Sequence, residues 1–505
     1  MAAPASGRAA HRSGRGPARG PAAAATSPPA GRSGPGPAGG RRKARAGADP
    51  ARRCAYDVLH AVAERDAYAN LLLPALLTDR ELTGRDAALT TELVYGVLRG
   101  QGTYDAILSI CSDRALSRID PPVRQVLRLG AHQLLATRIG AHAAVATSVE
   151  LARDVAGPRP AGFVNAVLRR VAMRDSAGWL EIAAPRRAGD IVGHLSVRYS
   201  HPPWIIAALS AALGEEPAAG LAETEEALAA DQQRPQVTLC AVPGLADQAE
   251  LTASGAQAAQ WSPFGAYLAQ GDPAQVAAVA QGRAAVQDEA SQLAAIALTR
   301  VTGPRGAQDS GACWLDACSG PGGKARLLAG LAGARGARLL AADVRLHRAR
   351  LARTATTGVP GTGVIVADGT VPAWRPGSFA RVLADVPCSG LGALRRRPEA
   401  RWRRSPEGIT ALGPLQRALL ATALDSAAPG GVVAYVTCSP HVAETRDVVL
   451  DVLNGRDDIT VIDAPGALPE VPGLRCPDPH GTFAQFWPHR HGTDAIFLAL
   501  LRRRA

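Results

Sequence analysis

Two cysteines and a lysine stand where their chemistry could be used. Cys388 lies in Asp385-Val386-Pro387-Cys388-Ser389-Gly390 and Cys438 in Tyr435-Val436-Thr437-Cys438-Ser439-Pro440, each just past an apolar run. The lysine, Lys324, is one of only two in the chain, with Lys43, among 56 basic residues. Arginine has taken nearly every other cationic position, so a retained lysine points to a site that needs a compact ammonium rather than a planar fork. Lys324 closes the glycine-rich stretch Asp316-Ala317-Cys318-Ser319-Gly320-Pro321-Gly322-Gly323-Lys324. An apolar strand ending in an acid, then a glycine turn opening a helix, aims backbone N–H groups at a ligand. The turn fits a dinucleotide fingerprint as well as other nucleoside sites. It is not a phosphate-binding P-loop, because Ala325 follows Lys324 and Cys318 occupies the place of the first glycine.

Residues 284–505 must position these groups, and they alternate strand and helix, the pattern of a doubly wound α/β sheet. Strands are expected over Ala312–Leu315, Arg338–Ala342, Gly363–Ala367, Ala380–Ala384 and Gly431–Thr437. The residues that close them are Asp316, Asp343, Asp368, Asp385 and Cys438. Ligands of such sheets sit outside the carboxyl ends of the strands, so four acids and a thiol converge on one crevice. Asp343 would accept from ribose hydroxyls and Asp368 from an adenine amino group. That suits S-adenosylmethionine, and to this point a dinucleotide nearly as well.

The thiols decide between them. Hydride transfer has no use for two thiols at the strand ends, whereas methylation of cytosine at carbon 5 needs one. Carbon 5 is a poor nucleophile until a thiolate adds to carbon 6 and makes an enamine. The Asp316–Lys324, Asp385–Gly390 and Thr437-Cys438-Ser439 motifs resemble those of the Sun/Fmu (RsmB-type) 16S ribosomal RNA cytosine-5 methyltransferases, over about residues 49–505. That family commonly has Ala-Ala or Ala-Pro where Ser319-Gly320 stands here. The resemblance implies a class I, Rossmann-like, S-adenosylmethionine-dependent domain behind a NusB-like domain. It implies Cys438 as nucleophile and Cys388 as the group assisting release of the covalent adduct. Lys324 and Asp385 would contact the cytosine ring. Cys318, Ser319, Gly320, Pro321, Gly322, Gly323 and Lys324, with Asp343, Asp368 and Asp385, would hold the cofactor. The alternative is an inactive RNA-binding scaffold of the same fold.

After Cys388 comes Arg395-Arg396-Arg397-Pro398-Glu399-Ala400-Arg401-Trp402-Arg403-Arg404. Arginines for phosphates beside an indole for stacking suit single-stranded RNA, so Arg395, Arg396, Arg397, Arg401, Trp402 and Arg403 are expected RNA contacts. His489 and His491, in a stretch read as a hairpin that finishes the sheet, are expected to be structural or to position substrate. No metal site is expected, since none of the eight cysteines forms C-x-x-C.

Upstream, residues 49–175 carry helical periodicity over Pro50–Glu64, Asp86–Leu98, Val123–Ala136, Ala143–Val155 and Pro160–Val171. This all-α bundle resembles the NusB-like fold, chiefly through Gly162-Phe163-Val164-Asn165-Ala166-Val167-Leu168-Arg169-Arg170, and is expected to bind RNA or protein. Residues 176–195 read as a linker and 196–283 as a small α+β domain, with helices at Ile205–Leu213 and Glu215–Ala229 and a strand at Gln236–Cys240. Residues 1–48 contain nine basic side chains and no acid, so of a formal charge of +12 only +3 belongs to the remainder. The high pI therefore describes the tail, which is expected to be disordered. Scattered thiols fit a reducing cytosol. No apolar run approaches ~20 residues and no secretory h-region is seen, so no membrane partner is expected. The expectation is a cytoplasmic monomer acting on small-subunit rRNA or a pre-ribosomal particle.

Overall fold

A computed structural model describes residues 48–303, 309–478 and 481–505. The tail assigned to 1–48 lies, except for Ala48, outside the described residues. From Pro50 the chain forms a bundle of helices at Pro50–Glu64, Ala69–Asp79, Gly84–Cys111, Pro121–Ala136, Ala141–Ala156 and Ala161–Val171. Asp49 starts the first by accepting from Arg52 N at 3.0 Å, with Pro50 at the first helical position. The Gly84–Cys111 helix runs well past the expected end at Leu98, despite Gly100 and Gly102. Burial of Tyr104, Ile107, Leu108 and Cys111 outweighs the glycine penalty. Gly102 is also needed: a Cβ there would lie 2.6 Å from the Trp402 ring.

The expected linker is not a linker. Asp175 and Asp190 cap helices Ser176–Ala183 and Ile191–Tyr199 through Gly178 N and Gly193 N. The helix expected over Glu215–Ala229 is broken at Gly220 (φ +97°) and resumes over Ala222–Asp231. The small domain holds a four-stranded antiparallel sheet of β1 (Val237–Ala241), β2 (Gln257–Ala258), β3 (Gly265–Leu268) and β4 (Ala284–Val286), in the order β2-β3-β1-β4. Only β1 was legible, because the other strands are four residues or shorter.

The larger sheet comprises β5 (Cys313–Asp316), β6 (Arg338–Asp343), β7 (Thr362–Val366), β8 (Phe379–Asp385), β9 (Ala427–Thr437), β10 (Ile459–Ile462), β11 (Ala484–Gln485) and β12 (Phe497–Arg503). Its main order is β10-β12-β9-β8-β5-β6-β7, with β11 pairing β12. Strands β5 to β9 run parallel, and β12 pairs antiparallel with β9, β10 and β11. The expected terminal hairpin is the β11–β12 pair, with a short helix, Pro488–His491, between its strands.

Inside β8, Arg381 is fully buried and ion-paired to Asp309 at 2.5 Å, also donating to the carbonyls of Leu298 and Val301. Its guanidinium lies 5.4 Å from the centroid of the Trp314 ring. Removing one partner of a buried pair leaves an uncompensated charge, costing about 3–5 kcal/mol. Asp309→Ala is therefore expected to lower the unfolding free energy measured by denaturant titration by that amount; a wild-type value would show that the pair contributes little.

Candidate active site

The sheet reverses direction of growth between β5 and β8, so the loops leaving these neighbouring parallel strands diverge and open a crevice. After β5 the chain takes positive φ at Gly320 (+54°) and Gly322 (+97°) before the helix Gly323–Gly333. A Cβ on Gly322 would lie 2.7 Å from Ala352 Cα, so a side chain there would push the glycine loop off the helix Leu346–Ala355. Asp343, at the end of β6, ties this loop down: Oδ2 accepts from Gly320 N at 3.1 Å and Oδ1 from Arg345 N at 2.8 Å. Asp368 lies two residues beyond β7, is exposed, and accepts from the N–H and hydroxyl of Thr370, which holds its carboxyl below the ordinary range.

Asp316 is completely buried. Desolvation, then the charge of Asp385, pushes its carboxyl up to about 8. Its Oδ2 and the hydroxyl of Ser319 have no hydrogen-bond partner among the described residues. Burial drives the Cys318 thiol far above its usual value, so this cysteine is a neutral wall of the loop.

Lys324 reaches across the crevice to Asp385, Nζ to Oδ2 2.9 Å. Burial opposes its charge, but Asp385 overcomes the penalty and its pKa ends raised. Next to this pair, Cys388 Sγ and Cys438 Sγ are 3.1 Å apart. The hydrogen bond from Cys388 holds Cys438 below the ordinary thiol value against burial, with Lys324 and Arg397 adding to the effect and Asp385 opposing it. The same bond, with burial and the charges of Cys438 and Glu444, holds Cys388 well above. Of the two sulfurs, Cys438 is thus the one that ionises more readily and Cys388 the one that keeps its proton. The thiolate is the nucleophilic form.

The family profile for 16S rRNA methyltransferase RsmB/F matches residues 307–502, and that of the NusB family residues 49–173. Ribosomal RNA small subunit methyltransferase B of Vibrio cholerae is 30% identical over 465 residues, covering 90% of this chain and 97% of that protein. Its counterpart in Pseudomonas putida is 32% identical over 464 residues, covering 89% and 98%. The chain belongs to the RsmB/F methyltransferase family. Rv1407 of Mycobacterium tuberculosis, named for methyltransferase activity alone, is 48% identical over 459 residues, 90% of this chain and 97% of that one. The crystal structure of PH0851 has the same fold, with a TM-score of 0.72 at 21% identity, covering 90% of this chain and 99% of that one.

The cofactor of this RsmB/F methyltransferase is S-adenosylmethionine, and the crevice has the character to take it. The unpartnered buried oxygens of the Asp316 carboxyl and the Ser319 hydroxyl offer polar contacts beside the glycine loop. Val344 and Val371, 60% and 75% exposed, stand next to Asp343 and near Asp368 as apolar surface for a base.

The arginine run of this RsmB/F chain is placed differently from expectation. Arg395 and Arg396 are engaged by Asp494, and both also pair with Asp288. Arg401 is fully buried and donates to the carbonyls of Arg99, Ser200 and Asp231. Arg403 donates to the carbonyls of Val62, Asp66 and Ala67. Arg401 and Arg403 brace residues 62–231 against the catalytic sheet, while Arg395 and Arg396 are engaged by carboxylates. Arg397 and Trp402 remain exposed, with Arg397 5.6 Å from the centroid of the Tyr68 ring. His491 is buried against the carbonyl of Pro472, and His489 contacts Glu223 at 3.0 Å. No local pattern singles out Glu444, a lone glutamate fully buried beside the thiol loop.

The raised Asp316 carboxyl makes stability depend on pH. The folded state holds a proton that the unfolded carboxyl, near 4, releases. Its contribution is complete below that value and drains away as pH rises through about 8. Without cofactor, the melting temperature of Asp316→Asn relative to wild type should therefore rise between about pH 5 and pH 9. A flat difference would mean that Asp316 is not held protonated.

Proposed function

We propose that this methyltransferase acts on carbon 5 of a cytidine in small-subunit rRNA, through a covalent bond between Cys438 and carbon 6 of the base. The observation that carries the proposal is the pair of sulfurs, 3.1 Å apart, facing the Lys324–Asp385 pair. The Cys438 thiolate adds to carbon 6, and the carbon 5–carbon 6 double bond opens to an enamine. Lys324 would donate to the ring at O2 or N3 as negative charge develops there, and Asp385 would hold the ammonium in place and contact the ring edge. Bound S-adenosylmethionine supplies the electrophilic methyl group that carbon 5 attacks.

Release then requires loss of the carbon 5 proton and departure of Cys438 as thiolate. Once Cys438 is bonded to carbon its sulfur carries no charge, and its own part in raising Cys388, the largest, is gone, while burial and Glu444 remain. Cys388 can then give up its proton to water and, as the thiolate, accept the one from carbon 5. The electrons of the broken C–H bond restore the double bond and expel Cys438.

For the RNA, the base must leave its stack at a cost of a few kcal/mol, which an unpaired loop lowers. The exposed Arg397 and Trp402 are the members of the arginine run available to a strand entering the crevice.

Cys438→Ser should abolish turnover yet leave S-adenosylmethionine affinity unchanged in calorimetry; retained turnover would end the covalent reading. Cys388→Ala should accumulate a denaturant-resistant protein–RNA adduct on gels, while continued turnover without adduct would leave Cys388 only structural. Arg397→Ala should weaken RNA binding and reduce the log–log salt slope by about 1, the loss of one phosphate contact. An unchanged slope would remove Arg397 from the RNA path.

A further inference from the structure

Glu444 is the one completely buried acid on the thiol side of the crevice that the reaction above does not use. It follows Cys438 by six residues, in the short turn Val442–Glu444, and its side chain returns to the loop that carries Cys388. Oε1 accepts from Ser389 N at 2.7 Å and from Gln416 Nε2 at 3.2 Å, and Oε2 accepts from the Ser389 hydroxyl. Two of these partners, Ser389 N and Gln416 Nε2, can only donate, which suits a carboxylate. The Ser389 hydroxyl lies 3.1 Å from that of Ser439, which accepts from His441 N at 3.2 Å. The Glu444 main-chain oxygen also accepts from the Tyr435 hydroxyl at 2.8 Å. The residues that follow both cysteines, Ser389 and Ser439, are thus tied to one buried carboxylate.

We infer that Glu444 is a positioning residue that decides which of the two sulfurs holds their shared proton. It acts through Cys388, next to the serine it grips, and touches neither base nor cofactor. A fixed negative charge beside Cys388 favours the protonated thiol there, which leaves Cys438 as the thiolate. The charge keeps this role after Cys438 has bonded to the base. The neighbouring sulfur is then uncharged, and Glu444, together with burial, keeps Cys388 basic enough to accept the carbon 5 proton. The inference rests on the proposed roles of the two cysteines.

The groups facing this pair come from every element around it. Asp385 and Lys324 lie on the far side of Cys438, with Arg397 at its mouth. Glu444 lies behind Cys388, and Tyr435, beneath, has its own ionisation suppressed by burial and by both neighbours. His441, half-buried and with its pKa lowered by desolvation, faces Glu444 and Asp447, and Arg417 lies beyond Tyr435.

The test is site-resolved alkylation. Wild type and Glu444→Gln, as full chains without RNA, are treated with iodoacetamide across a pH series, and the Cys388 and Cys438 peptides are followed by mass spectrometry. In wild type, Cys438 should react first and at low pH. In Glu444→Gln the acid limb of Cys388 should move down by roughly one pH unit, making Cys388 a competitor. Glu444→Asp keeps the charge but withdraws it by one methylene, and should shift the limb the same way by less. Ser389→Ala keeps charge and distance and should leave the limb in place. A wild-type limb in Glu444→Gln with S-adenosylmethionine binding intact would overturn the inference. So would a shift in Ser389→Ala as large as that in Glu444→Gln, since a purely structural clamp predicts it. Should Glu444→Gln lose S-adenosylmethionine binding, the Asp variant decides, and a wild-type limb there overturns the inference. Because alkylation needs no RNA, these outcomes are separate from the Cys438→Ser result that tests the covalent reading.

Discussion

The parallel pairing of β5 with β8 is the constraint on which the active site depends. It sets Trp314, Leu315 and Asp316 beside Arg381, Val382 and Leu383. That register delivers the glycine loop and the Asp385–Gly390 loop to the same end of the sheet, a few ångströms apart. Lys324 can then span from the first to Asp385 on the second. Next in line, β8 pairs Asp385 with Val436 of β9, so Cys438 follows at the same height. The buried Arg381–Asp309 pair fixes β8 from behind, and a slip of one residue would turn every strand-end group away from the crevice.

Within that frame the chemistry is set by a few charges in a dry place. Asp316 is buried enough to favour the neutral form, while nearby Asp385 has Lys324 for a partner. The two sulfurs are kept unequal by their own contact and by unlike neighbours: Lys324 and Arg397 around Cys438, Glu444 behind Cys388. At short range in a medium of low dielectric constant such differences are large, whereas the same groups at the surface would be levelled by water and salt.

Arginine's prevalence gives the fold a second character. A guanidinium offers five donors, and the structure uses them on main-chain carbonyls where helices and domains meet. Arg401 serves three segments at once, and Arg403 gathers three carbonyls of the bundle. Trp402, lying between them, is seated against Gly102. A run that reads as a nucleic-acid contact is for the most part a seam, because the carbonyls that Arg401 and Arg403 satisfy come from residues 62 to 231 and meet them only on folding.

By itself, the sequence determined the groups whose chemistry is local: the glycine loop, the strand-end acids, the two thiols, and the helical start of the bundle at Asp49-Pro50. Each depends on residues a few positions apart, where periodicity, capping and turn chemistry act directly. The parallel strands were legible within one to four residues of their ends, since runs of buried aliphatic residues mark them. Short strands such as β2 and β4, the capped helices within 176–199 and the continuation of a helix through Gly100 and Gly102 were not, because tertiary burial outweighs their local preference. Tertiary structure alone decided which arginines stay free, which of two similar thiols keeps the proton, and that Glu444 stands behind one of them. Those outcomes are set by desolvation and by charges contributed from distant parts of the chain, and neither quantity exists until the chain has folded.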